Sequence, residues 1–293
     1  MVLFVKKSTK LLRTSNPKLD QSESKALKCF QSYLSESLNR LLSDKRHGSL
    51  SLSWFIPCFN FLQEINRAFT KLVKDLDHPF TKWKGDLAED YLSHSLNILD
   101  ALNSISSSIS HLGNSRLTLC HAVSLIPNSS SSALHHLKPI KPRKIEPGNC
   151  KKKGVESFDC DKERAIYEAM VKLKGVNLVV FRVLLCGVSD GSVDHLGLLN
   201  SSELEGFDLG FGGNLMVKEI EEVNVTVKEV EDGLIEGRKS SNSKLAAEEL
   251  KNKLGELENL LEMVNKEVNC LFSEVLARRS ELINCLRLCK SNN

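Results

Sequence analysis

The chain has 293 residues, 41% apolar and 26% charged, which is the composition of a packed globular protein and excludes an intrinsically disordered one. A formal charge of +3 is too close to neutral for a general nucleic-acid binder, so no nucleic-acid partner is expected. Nine cysteines, an odd number with no CxxC pair, predict reduced and mostly buried thiols, with neither a disulfide framework nor a metal or cofactor site.

Residues 1–20 carry Lys6, Lys7, Lys10, Arg13 and Lys18 with no acid before Asp20, and their apolar start breaks at Lys6. They read as a flexible basic terminus without a secretory core. Organellar targeting is not expected, the sequons at Asn128, Asn200 and Asn224 are expected to stay unmodified, and the chain is expected in the cytoplasm.

Residues 21–126 predict an N-terminal helical bundle. Leu27, Phe30, Leu34, Leu38 and Leu41 recur at steps of three and four and give a first helix over Ser22 to Lys45. A second helix starts near Ser53, with Phe55, Phe59, Leu62, Ile65, Phe69, Leu72 and Leu76 on its stripe. Pro57 falls in its first or second turn, where a missing N–H costs least, and Asp77-His78-Pro79 stops it. A third helix, from near Thr81, carries Leu87, Tyr91, Ile98, Leu102, Ile105, Ile109 and Leu112. Gly113 and Asn114 are expected to end it, with a shorter amphipathic piece from Leu117 to Ile126. Short links predict that these helices lie antiparallel as consecutive neighbours. Asp90 and His94, four apart, are placed to meet on the helix surface.

Residues 127–156 read as a disordered Ser-rich and basic linker, in which Pro139, Pro142 and Pro147 forbid regular helix. Lys138, Lys141, Arg143, Lys144, Lys151, Lys152 and Lys153 face a single acid, Glu146, and are the candidate contacts for anionic lipid or a protein partner. Without interleaved aromatics they make a poor nucleic-acid tail.

Residues 157–290 predict further helices packing on the bundle. One begins near Asp159 and leads into the apolar run Val176 to Val188, whose thirteen residues with Arg182 among them fall short of the ~20 needed to span a bilayer. A buried core helix is predicted there, with membrane contact as the alternative. Residues 189–214 read as a loop; the glycines of Gly206 to Gly213 lack the Lys-Ser/Thr of a phosphate loop. Leu215 to Val230 reads as helix, although Val223, Val225 and Val227 also alternate as in a strand. Last, Leu250, Leu254, Leu257, Leu261, Val264, Val268, Leu271 and Val275 form a heptad seam, interrupted by Arg278 and resumed at Leu282 and Cys285. The seam is expected to pack within the molecule, with a coiled-coil partner through residues 244–289 as the alternative. The fold class is therefore all-α: an elongated antiparallel helical bundle with a long C-terminal heptad helix and a disordered central linker.

The run Leu50 to Leu112 resembles the plant BYPASS family. It shows the family's LS-x-x-W-like opening (Leu52, Ser53 and Trp54 within it), its D-L-x-x-P-x-x-x-W turn (Asp75, Leu76, Pro79, Trp83) and its Y-L-x-x-S-x-x-x-L-D helix (Tyr91, Leu92, Ser95, Leu99, Asp100). Asp161 to Met170 is similar to a later region of the family. The resemblance implies a plant-specific helical protein without known enzymatic activity, influencing root and shoot development by restraining a mobile root signal; a related branch is linked to exocyst-dependent secretion. It brings no catalytic residues. The chain departs from the family in its short apolar run and in lacking an N-terminal region rich in Pro and Phe. The expectation is a non-catalytic interaction protein with an unidentified protein partner; the alternative is a peripheral membrane or exocyst-linked adaptor. Trp54, Trp83 and Tyr91 are candidate partner anchors, with core packing the favoured job for each.

Overall fold

The computed structural model describes residues 21–43, 49–83, 85–143, 160–189, 216–236 and 241–291. These form α1 (Gln21–Ser43), α2 (Leu52–Asp75), a 3-10 turn (Phe80–Lys82), α3 (Gly85–Leu125), α4 (Ser130–His136), α5 (Asp161–Val188), α6 (Lys218–Ile235) and α7 (Ser241–Ser291). Among the described residues there is no strand, and one isolated bridge joins Arg143 to Ser189. The all-α reading holds, as does the helix in the valine-rich stretch, where Val223, Val227 and Val230 share a buried face.

Four long helices make the centre. Side-chain bonds fix their directions. Gln63, Arg67 and Thr70 of α2 meet Glu267, Glu274 and Arg278 of α7, so these two run parallel. Arg116 and Ser95 of α3 meet Glu258 and Arg279 of α7, so those two run antiparallel. Asp90 and His94 of α3 meet Lys174 and Asn177 of α5, a parallel pair. α2 and α3 each pack on both α5 and α7, and so stand at opposite corners of a four-helix ring. α1 covers α2 and α5, α6 covers α7, and α4 lies on α3. This corrects the expected packing of α2 and α3 as side-by-side neighbours: α5 and α7 occupy the space between them.

The heptad seam lies inside this ring. Leu250, Leu254, Leu257, Leu261, Val264, Val268, Leu271, Val275 and Leu282 are all buried. The apolar run Val176 to Val188 is likewise core, with Arg182 half-buried at its edge.

Three sequence expectations need correction. The chain does not break at Gly113: α3 continues to Leu125, because a glycine in helix costs only about 1 kcal/mol and Leu112, Leu119 and Ala122 are buried on either side of it. Its start is Gly85 rather than Thr81, since Phe80–Lys82 form the 3-10 turn. The linker is not irregular from its outset: Ser129 caps α4 by accepting from the Ser132 N–H at 3.3 Å. Beyond α4, residues 137–143 form an extended strap with Leu137 and Ile140 buried. The basic terminus, residues 144–159 and the glycine-rich 190–215 lie outside the described residues.

The ends of α2, α5 and α6 meet in one knot. The Val217 N–H donates to the Gly187 carbonyl at 3.2 Å, and the Lys218 N–H to the Leu50 carbonyl at 2.8 Å. The Glu219 carboxylate then accepts from the Ser51 hydroxyl at 2.5 Å and from the Leu52 N–H at 3.0 Å, so an acid of α6 caps the N-terminus of α2. Gly187 is the closest approach: a Cβ there would lie 2.6 Å from Leu50 Cδ2 and 2.7 Å from Phe55 Cζ. Both neighbours are buried in packed core and have little room to yield. Gly187→Ala is expected to lower stability by about 1–3 kcal/mol, read from the urea midpoint; a midpoint equal to wild type would show that the contact gives way freely.

Candidate functional site

The residues of the family-like motifs converge on the joints of the bundle. Pro79 sits at the N-cap of the 3-10 turn, which brings Trp83 back under the end of α2. There the indole Nε1–H donates to the His78 carbonyl at 3.0 Å. Trp83 packs edge-on against Phe80 at 4.7 Å and Tyr91 at 5.6 Å, and Tyr91 stacks on Phe69 of α2 at 6.1 Å. Trp54, Trp83 and Tyr91 are only 9%, 4% and 7% exposed. Burial pushes the Tyr91 hydroxyl up to about 12. All three are core.

Beside this aromatic joint, His78 approaches Glu163 of α5 at 3.6 Å. Burial lowers the His78 pKa, and the Glu163 carboxylate offsets part of that. Farther along α3, Asp90 and His94, whose spacing would let them meet, turn to other partners. Asp90 pairs with Lys174 at 2.5 Å, while the His94 Nε2 accepts from the Asn177 amide at 3.1 Å. Both partners come from α5, whose residues 174 and 177 project onto α3 one turn apart. The His94 ring is buried, and burial, aided by the Lys174 charge, pulls its pKa down to about 3; it is neutral.

Arg278, at the interrupted seam position, is accounted for in the same way. Its guanidinium reaches the Thr70 hydroxyl of α2 and the Glu274 carboxylate at 2.9 Å. Glu274 also holds Arg67 at 3.1 Å. Burial alone would raise the Glu274 pKa, but the hydrogen bonds from Arg67 and Arg278 outweigh it and the net shift is downward. Next to it, Arg279 crosses to α3 and donates to the Leu92 carbonyl and to the Ser95 hydroxyl.

Of the seven basic candidates, Lys138, Lys141 and Arg143 are described and all three are exposed on the strap; Lys144, Lys151, Lys152 and Lys153 lie outside the described residues. The strap is held by a clamp that sequence reading missed. The Asn224 side chain of α6 accepts from the Ile140 N–H at 2.6 Å and donates to the Ile140 carbonyl at 3.0 Å. The only local signal was the sequon, and it pointed elsewhere. The His111 ring holds the Lys141 carbonyl at 2.9 Å, and Arg143 reaches the Ser107 hydroxyl at 2.7 Å.

Among the described residues, no group of three His, Cys, Asp or Glu side chains is arranged to hold a metal ion, and no helix is long and apolar enough to cross a membrane. Burial raises the thiol pKa values of Cys58 and Cys186, which keeps both protonated and unreactive. An open depression runs along the outer face of α1 past Lys25, Lys28, Cys29 and Tyr33.

Over 314 aligned residues, spanning 95% of this chain and 88% of the relative, the sequence is 26% identical to Protein BPS1, chloroplastic, of Arabidopsis thaliana. It is also 28% identical over 104 residues to UPF0496 protein 4 from the indica and japonica subspecies of rice, a match covering 36% of this chain and 23% of each rice protein. No family model and no solved structure matches. The BYPASS resemblance read from Leu50 to Leu112 thus extends along nearly the whole chain. The word "chloroplastic" in the Arabidopsis name stands against the expectation that organellar targeting is absent here, and residues 1–20 lie outside the described ones.

The buried His94 sets a pH dependence of folding. Its pKa is about 3 in the folded chain and 6.5 when unfolded, so between these values the unfolded chain binds the extra proton and stability falls with pH. From pH 7 to 5 this amounts to about 2 kcal/mol for His94. His78 acts in the same direction, whereas Glu168, raised by burial, opposes it. The urea midpoint of wild type is expected to drop over this interval, and that of His94→Gln to drop less. Equal drops would show that the ring is hydrated.

Proposed function

We propose that this BYPASS-like chain is a non-catalytic regulatory protein of plants, acting in root and shoot development by presenting its helix faces to a protein partner. The observation that carries this reading is the placement of the motif residues. Trp83, Tyr91 and Ser95, which the sequence shares with the family pattern, are buried joints between helices. What such a pattern preserves is a scaffold. Four of its buried or half-buried titratable side chains join helices: His78 to α5, His94 to α5, Arg278 and Arg279 to α2 and α3.

A second reading, a peripheral membrane or exocyst-linked adaptor, is favoured by one observation: Lys138, Lys141 and Arg143 project from a strap fixed to the bundle surface. The apolar run does not contribute to it. Val176 to Val188 is buried among α1, α2 and α3, so any membrane contact falls to the basic residues.

Genetic replacement tests the leading reading. In a plant lacking this protein, altered root or shoot growth is expected, and it should be restored by wild type and by His94→Gln or His78→Gln expressed at equal folded amounts. A normal plant would remove the developmental role. Failure of a folded, equally abundant histidine variant to restore growth would point to chemistry at that ring and against a non-catalytic scaffold.

A further inference from the structure

The strap does not lie on the bundle at random. It runs antiparallel to the second half of α3, with Arg143 at Ser107, Lys141 at His111 and His136 against His121. The α3 residues under it, Ser107, His111, Asn114, Thr118 and His121, recur at steps of four and three and form one polar stripe. Between Asp100 and Glu146 the chain carries no acidic residue. The stripe, α4 and the strap together are therefore a continuous face built without a single carboxylate of its own. Arg116, on the same length of α3, is turned inward to Glu258 at 2.5 Å and takes no part. From α6, Glu221, Lys228 and Glu231 share the helix face of the clamping Asn224, so the neighbouring helix brings two carboxylates and one cation.

Three features of this face select its partner. Lys138 and Lys141 are exposed and Arg143 is exposed beside them, on a backbone fixed at Ile140 by both bonds of the Asn224 amide. Leu117, 56% exposed, lies on α3 one turn from both Asn114 and His121, at the edge of the same stripe. Aromatic side chains that would stack on bases are absent from it: no Phe, Tyr or Trp occurs between Tyr91 and Phe158. A fixed row of cations, hydroxyl and imidazole groups beside it, and one protruding leucine match an anionic lipid surface, where phosphates meet the cations and an apolar side chain enters the headgroup layer.

We infer that the face formed by the second half of α3, α4 and the strap 137–143 docks on the surface of an anionic phospholipid membrane through Lys138, Lys141 and Arg143, with Leu117 as its apolar contact. This rests on the second reading above and gives that reading a defined surface. Each lysine near a charged leaflet is worth about a fivefold change in affinity.

The test is cosedimentation of the full chain with phosphatidylcholine vesicles and with vesicles containing 30% phosphatidylserine (about one anionic lipid in three). Wild type is expected to bind the anionic vesicles, in a salt-sensitive way, and not the neutral ones. The K138E/K141E variant should lose about 25-fold or more. K244E/K251E, an equal charge change at exposed positions of α7, should bind like wild type. Leu117→Ser should weaken binding at unchanged salt sensitivity. Thermal melting followed by circular dichroism shows that each variant is folded; all five positions are exposed, so no loss is expected. If wild type ignores anionic vesicles, both this face and the membrane reading fail. If wild type binds but K138E/K141E binds equally well, or both double variants weaken alike, the membrane reading survives and this face is ruled out. Retention of a polyanion such as RNA with no vesicle binding would also overturn the assignment.

Discussion

The interior seam of α7 is the constraint on which the rest of the bundle depends. α2 and α3 stand at opposite corners of the ring, and the space between them is filled by two helices from the other end of the sequence. Burying a leucine or valine contributes roughly 1.5–3 kcal/mol, and an isolated amphipathic helix is marginal in water. A 51-residue helix with nine apolar seam positions hidden is stable because α2, α3 and α6 cover it, and they in turn lack an inner face without it. The C-terminal helix therefore completes the core. Its seam is already occupied, so a coiled-coil partner along residues 244–289 would have to meet its outer face, where Met263 and Leu276 are exposed among charged residues.

Apolar stripes alone would let these helices slide by a turn, since leucines are interchangeable along a seam. Polar joints remove that freedom. Arg278 replaces a seam hydrophobe and reaches Thr70 and Glu274, an arrangement that fits one register of α7 on α2. Asp90 with Lys174 and His94 with Asn177 do the same between α3 and α5. At the far end, Glu219 caps α2 while Gly187 lets α5 close on Leu50 and Phe55. Each of these bonds is buried or half-buried, so losing one partner leaves a desolvated polar group behind, which costs about 1–3 kcal/mol.

The existence of the helices was legible because their apolar residues follow a 3.6-residue period over four turns or more; Leu27 to Leu41 and Leu250 to Val275 are buried as that period requires. Their ends were less so. Gly113 read as a stop, yet a Cβ there would meet nothing within 4 Å, so that residue is merely tolerated in a surface turn of α3. The prolines did forbid helix, but only from Leu137 onward; the serine-histidine segment before them had its own cap in Ser129. Helix order in space was the largest misreading. Short links bring helices near one another at the turn, as Phe69 and Tyr91 show, without making them neighbours along their length. The joints themselves were invisible, because Asn224 with Ile140 spans 84 residues and Ser51 with Glu219 spans 168, and neither spacing leaves a local pattern.

The Asn224 clamp has a consequence for how charge is displayed. An extended segment crossing a helical bundle has no sheet to satisfy its backbone, and an unpaired buried N–H or carbonyl is expensive. One asparagine side chain supplies both a donor and an acceptor at Ile140, as a neighbouring strand would, while Leu137 and Ile140 seat the strap by burial. The backbone between them is fixed, and Lys138 and Lys141, each directly after one of these anchors, are exposed. Cations on a loose linker would spread over many positions and lose that freedom on binding; these have already lost it during folding. The bundle therefore does two things with one segment: it closes the surface over α3 and α6, and it sets the spacing of the charges that segment carries.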